Sequence, residues 1–153
     1  MSIKRKLAVG SVLPVLAGTV LAVSPNVAHA YVPAPACDGP TCVGQSPYII
    51  NRNGVACADD ATTVKNSVVT TPGSHWTVEL RWSAYCQANW VKFVSGPAGI
   101  SYASYYVETE ADHNTEPGTV AGYSTMVNGE ELARVCVYDE GASDNTWSCS
   151  AYF

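Results

Sequence analysis

The side chains in this sequence best suited to chemistry are sulfurs, carboxylates and aromatic rings. Cysteines stand at Cys37, Cys42, Cys57, Cys86, Cys136 and Cys149. As thiolates they could ligate zinc or act as nucleophiles; paired as disulfides they brace a fold. No Cys-x-x-Cys occurs, and His75 and His113 are the only histidines beyond the first thirty residues. A zinc site wants tighter spacing or more histidine, so neither a metal nor a cofactor is expected. An even number of cysteines in a small exported domain implies disulfides. Cys136 and Cys149 are nearly equidistant from the turn-like stretch Asp139–Asn145, and Cys57 and Cys86 from Thr71-Pro72-Gly73. Folded at those turns, each pair would lie across a hairpin at about 4.5–5.5 Å, a separation that suits a disulfide. Cys37 then pairs with Cys42 by exclusion.

Paired carboxylates could hydrolyse glycosides. Glu108 and Glu110 would share one strand face, with Asp112 and Glu116 following. Such a pair needs a cleft that raises one pKa, whereas a strand running into a polar loop leaves its acids solvated. His75 and His113 show no adjacent nucleophile, and no Gly-x-Ser-x-Gly is present, so a hydrolytic triad is not indicated. The acidic stretch Asp139–Asp144 offers oxygens for calcium, but its spacing does not match the helix-loop-helix calcium motif, and a hairpin turn explains it better. No enzyme is expected.

Binding chemistry has three candidates. Arg52 sits in Tyr48–Gly54, between Cys42 and Cys57; a loop held at both ends could present arginine to a trypsin-like protease at reduced entropic cost. The pair Arg81-Trp82 is a second place for such a contact. Among the aromatics, Trp76, Trp82 and Trp90 suit a core, while Tyr102 and Tyr106 share one face of a strand and Tyr105 takes the other. One of those faces, if exposed, could stack on sugars or anchor a protein. The segment Tyr31, Val32, Pro33, Ala34, Pro35, Ala36 is extended, because two prolines deny it helix. It is either a disordered terminus or an arm that docks on a partner.

The elements that must position these residues are strands. Lys4, Arg5 and Lys6, an apolar stretch Leu7–Val23, and Ala28-His29-Ala30 read in order as a secretory signal peptide over residues 1–30, cleaved before Tyr31. The chain beyond it is expected to form one domain over residues 37–153, preceded by the arm at 31–36. Three of the eight basic residues leave with the signal and all thirteen acidic ones stay, for a net charge of about −8; that argues against nucleic acid and anionic membranes. Strict alternation places Trp76, Val78, Leu80 and Trp82 on one face of a half-buried strand. Further strands are predicted over 62–70, 88–94, 100–109, 122–127, 131–138 and 146–153, with Asn128-Gly129 as a hairpin turn between the fifth and sixth of the set. Six or seven short strands without an amphipathic helix predict an all-β fold, a small antiparallel sandwich or barrel stabilised by disulfides.

Three segments carry a resemblance: Cys37-Asp-Gly-Pro-Thr-Cys42-Val-Gly44, Cys57-Ala-Asp-Asp-Ala-Thr-Thr-Val64 and Val78-Glu-Leu-Arg-Trp-Ser-Ala-Tyr-Cys86-Gln-Ala-Asn-Trp90-Val-Lys92. Together with Gly122–Val127 and Ala133–Cys136 they resemble the YjfA-like family of small secreted proteins of actinobacteria and bacilli, a domain of unknown function. The resemblance covers nearly the whole expected mature chain and implies export, disulfides and a β fold, but no activity. In size, export and N-terminal arm the chain is also similar to the small adaptor subunit of streptomycete umbrella toxin particles. The expectation is thus a secreted, non-enzymatic protein-interaction module with another secreted protein as partner, possible roles as a protease inhibitor or a carbohydrate-binding module standing as alternatives.

Overall fold

The computed structural model describes residues 33–51, 53–98, 103–111, 113, 115–118, 122–139 and 146–153. The expected signal peptide lies outside them, as do Tyr31, Val32, Arg52, Tyr102 and most of the Asp139–Asn145 turn. Among the described residues there is no α-helix, and no helix long and apolar enough to cross a membrane.

Nine strands form two antiparallel sheets: β1 (Thr62–Thr63), β2 (Val69–Thr70), β3 (Thr77–Ser83), β4 (Ala88–Ser95), β5 (Tyr105–Thr109), β6 (Thr115–Pro117), β7 (Val127–Asn128), β8 (Ala133–Tyr138) and β9 (Trp147–Cys149). The first sheet runs β1-β3-β4-β7, with β2 also pairing along β3; the second runs β6-β5-β8-β9. Their facing side chains make one core: Val78 and Leu80 of β3 and Val91 of β4 meet Tyr105 and Val107 of β5 and Ala133, Val135 and Val137 of β8, with Trp76 and Val127. The predicted alternation of β3 is the pattern that builds this core, since every second side chain of a strand points to the same face.

β4 departs from alternation. Ala88, Asn89, Trp90 and Val91 are all buried. Asn89 and Val91 share the inner face, whereas Ala88 and Trp90 point outward into a second cluster made by Cys37, Cys42, Cys57, Cys86 and Met126. The bonds Cys37–Cys42 and Cys57–Cys86 thus roof the outer side of the first sheet. The third bond, Cys136–Cys149, joins directly paired residues of β8 and β9. All three expected pairings are present, although Cys57 sits in a short 3-10 turn, Cys57–Asp59, and not in a strand.

The strand predicted over 122–127 is reduced to β7, Thr115–Pro117 is a strand within the predicted polar loop, and two further elements differ. The single strand expected over 62–70 is split, because the chain leaves the β3 ladder between β1 and β2. Ser67, fully buried, bridges the gap: its Oγ donates to the Val64 carbonyl at 2.7 Å and accepts the Leu80 N–H at 3.1 Å. Asn128-Gly129 does not close a hairpin. β7 pairs with β4, and β8 with β5 and β9, so the turn carries the chain from one sheet to the other. Gly129 is required there for close approach, not for left-handed backbone: a Cβ at 129 would lie 2.6 Å from the backbone of Gln87 and Ala88.

Asp139, fully buried at the end of β8, ties the sheets together. Its carboxylate accepts the Gly73 N–H at 2.8 Å, the Ser74 N–H at 2.7 Å and the Ser74 hydroxyl at 2.7 Å, all in the turn between β2 and β3. Deleting a buried acceptor strands its donors, each at about 1–3 kcal/mol. Asp139→Ala is therefore expected to lower unfolding free energy by about 2–4 kcal/mol in urea titration with the disulfides intact. A loss under about 0.5 kcal/mol would mean that the turn is held by other contacts.

Candidate functional site

On the outer face of the second sheet the strands present aromatic rings next to a charged cluster. The inner face takes Tyr105, Val107, Val135 and Val137, so the pleat turns Tyr106, Glu108, Arg134, Cys136 and Tyr138 outward. Trp147 of β9 pairs with Tyr138 and remains 45% exposed. Its ring centroid lies 4.8 Å from that of Tyr106 in an edge-on contact and 5.3 Å from that of Tyr138. The Cys136–Cys149 bond joins the two strands two pairs further along. The three rings therefore sit on a braced backbone, and little side-chain entropy remains to be lost on contact.

Beside the rings, Glu108 accepts from Arg134 Nε at 2.7 Å and lies 2.7 Å from Arg134 Nη2; it also accepts from the Tyr152 hydroxyl at 3.1 Å. His113 Nδ1 stands 3.4 Å from its other oxygen. The Arg134 guanidinium lies over the Tyr152 ring, 4.6 Å from the centroid, a cation–π contact. Burial by itself would raise the Glu108 pKa. The hydrogen bonds from Arg134 and Tyr152, the charge of Arg134 and the hydrogen bond from His113 outweigh it and hold the carboxyl below the usual range. This is the wrong direction for a general acid, which must keep its proton near neutral pH. Glu116 is likewise engaged, accepting from the Thr125 hydroxyl, and Asp112 lies outside the described residues. Burial, reinforced by the charge of Glu108, raises the Tyr106 pKa against the opposing charge of Arg134, so this ring is a neutral phenol at the surface.

Of the residues singled out in the sequence, Tyr106 lies on this face and Tyr105 does not. Tyr105 is 2% exposed in the core and stacks on Phe93 at 6.0 Å. A Cβ at Gly118 would fall 1.6 Å from its ring. The reason is the pleat: the neighbour of an outward residue points inward. Pro33 and Ala34, at the base of the arm, are held by the domain itself. The Tyr85 hydroxyl donates to the Pro33 carbonyl at 2.6 Å and the Asn51 amide to the Ala34 carbonyl at 2.7 Å; Pro35 follows, partly buried. Tyr138, Trp147, Arg134 and Tyr152 were not anticipated. The alternation of Arg134, Cys136 and Tyr138 along β8 is the signal that could have found two of them.

Asn51 is tied to Asn53, Gly54 and Val55. Gly54 N–H donates to the Asn51 carbonyl, Asn51 N–H to the Val55 carbonyl, and the Asn51 side-chain oxygen accepts the Asn53 and Val55 N–H groups. Ile50, just before Asn51, is 63% exposed. The sulfurs of Cys37, Cys42, Cys57 and Cys86 lie within 4.8 Å of one another. They are joined as disulfides, and in that state they lack the thiolate charge a zinc ligand supplies.

The Glu108 pairing has a pH signature. Its folded pKa is depressed, so its contribution to stability is present above the unfolded carboxyl value of about 4.3 and is lost as pH falls through the folded value. The stability gap between wild type and Glu108→Gln, measured by urea denaturation, is expected to be largest near neutral pH and to shrink below pH ~4. A gap of constant size from pH 7 to pH 3 would contradict the pairing.

Among known proteins, no curated sequence and no solved structure matches this chain. The family model described as "Protein of unknown function (DUF2690)" matches residues 40–139. That stretch holds β1 to β8 and one cysteine of each bond that ends at Cys37 or Cys149. Two thirds of the chain is thereby covered, and the chain belongs to the DUF2690 family.

Proposed function

We propose that this protein is a secreted, non-enzymatic interaction module that acts as an adaptor in an extracellular assembly. The observation that carries the reading is the ring cluster Tyr106, Tyr138 and Trp147 on a disulfide-braced sheet face, with Trp147 45% exposed. Exposed aromatics on a rigid support, next to an arginine already paired, are the composition of an interface centre. An adaptor needs a second contact. The arm supplies it: Tyr85 and Asn51 fix the carbonyls of Pro33 and Ala34, and prolines keep Pro33–Pro35 extended. Three disulfides among the described residues suit an oxidising compartment, in keeping with an export signal over residues 1–30. The resemblances to the YjfA-like secreted proteins and to the umbrella-particle adaptor point the same way.

Inhibition of a secreted protease is the second reading, favoured by exposed Ile50, two positions before Arg52 in the sequence. It carries less. Proteases bind substrate-like chains extended, as added strands, whereas Asn51 hydrogen-bonds back to Gly54 and Val55.

Two outcomes are expected. The tagged mature chain should recover a stoichiometric partner from its native culture fluid. Trp147→Ala combined with Tyr106→Ala should weaken that capture by roughly 30-fold or more, as loss of an interface centre worth about 2 kcal/mol does, while thermal melting stays cooperative. Deleting residues 31–35 should remove a different partner or the same partner's second contact. A wild-type chain that remains alone under all conditions would sink the adaptor reading. For the loop, wild type and Arg52→Ala are expected to leave trypsin-like proteolysis equally unaffected; inhibition that disappears in Arg52→Ala would install the inhibitor reading instead.

A further inference from the structure

The inner face of the first sheet is not covered along its whole length. The row Thr62, Trp82, Asn89 and Val127 is one cross-strand line on β1, β3, β4 and β7, and it lies beyond the row of Leu80 and Val91 that packs in the core. Val127 is core, but Trp82 is only half-buried. Over Trp82 opens a groove of about 500 Å³ whose wall includes Trp82, Asn89, Lys65, Glu130, Glu131 and Leu132. This volume falls in the range of small-molecule sites, about 300–1,000 Å³. The groove is built from other elements than the aromatic face of the second sheet.

One buried polar atom in it, on Glu131, lacks a protein partner among the described residues. Asn89 is 4% exposed and lines the groove. Glu131 accepts from Asn128 through Oε1 at 3.3 Å, while its Oε2 is buried and makes no hydrogen bond. Buried polar groups are normally satisfied, and an exception asks for an explanation. An amide that both donates and accepts, a carboxylate oxygen that accepts and a lysine that donates stand around an indole ring. Hydroxyl groups on a ring with an apolar face match this set: each hydroxyl can donate and accept, and the C–H face of a pyranose lies on an indole. An amine would use the carboxylates and the ring but would face Lys65 and leave the amide carbonyl and its N–H groups unevenly used. An anionic sugar would meet Glu130 and Glu131.

We infer that the groove over Trp82 binds a neutral hexopyranose residue, stacked on the indole and hydrogen-bonded by Asn89 and Glu131. The site is independent of the proposed adaptor face, so either can fail without the other.

The test is a titration of the disulfide-intact mature protein with a panel of neutral hexose and N-acetylhexosamine oligosaccharides, followed by the four tryptophan indole N–H resonances in ¹⁵N-labelled protein. At least one oligosaccharide is expected to shift Trp82 selectively. Trp82→Ala should weaken its binding about tenfold or more, and Glu131→Gln should weaken it while leaving the fold unchanged. Trp147→Ala should leave it unaltered. The assignment is overturned if no member of the panel shifts Trp82, if the saccharide shifts Trp147 instead, or if N-acetyl-lysine methylamide binds the groove more tightly than any sugar.

Discussion

A strand that is buried on both faces cannot lie at the surface of a two-layer fold, and over Ala88–Val91 β4 is such a strand. Of its inner side chains Val91 packs against the second sheet and Asn89 lines the groove beside it, and its outer side chains Ala88 and Trp90 need a cover of their own. A chain of this size has too little material for a third layer of regular structure. Two disulfides supply it, placing four sulfurs over Trp90 with Met126 alongside. From this constraint follow the irregular course of residues 37–61, the two 3-10 turns that carry Cys42 and Cys57, and the position of the arm, whose base is held by Asn51 and by Tyr85, the neighbour of Cys86.

The same economy shapes the rest. With the first sheet roofed, the second is free to present its outer face, and the Cys136–Cys149 bond keeps β8 and β9 in register there. Asp139 then couples the two sheets at one end through three hydrogen bonds to a single turn. Over Trp82 a groove opens. The molecule thus has one locked end, one open groove and one braced flank. Rings fixed on a braced flank lose little freedom on docking, which supports the contact function proposed above. The acid that sequence alone would nominate for catalysis, Glu108, is an ionised partner of Arg134.

Much of this was legible in the sequence because the relevant signals are local. Alternation in β3 gave the face of Trp76, Val78, Leu80 and Trp82, and cysteine positions relative to turns gave the disulfide pairs. The readings that changed depend on distant partners. Asn128-Gly129 has the composition of a hairpin turn, but its glycine answers to the backbone of Gln87 and Ala88 some forty residues upstream. Tyr105 and Tyr106 differ by one position in a pleat, and only the second sheet's placement decides which of them is core. Trp82 obeys the alternation and still stands half-open, because no sequence period reports where a groove opens. Trp147 sits in a three-residue strand, too short for a period to show.

The central claim is that the rings on the outer face of the second sheet form the protein's contact surface, and hydroxyl-radical footprinting of the free chain and of the complex captured from culture fluid addresses it most directly. The expected result is that Trp147, Tyr106 and Tyr138 lose reactivity in the complex while Trp76 and Trp90 stay unreactive in both states. Unchanged oxidation of Trp147 and Tyr106 in a stoichiometric complex would contradict the account.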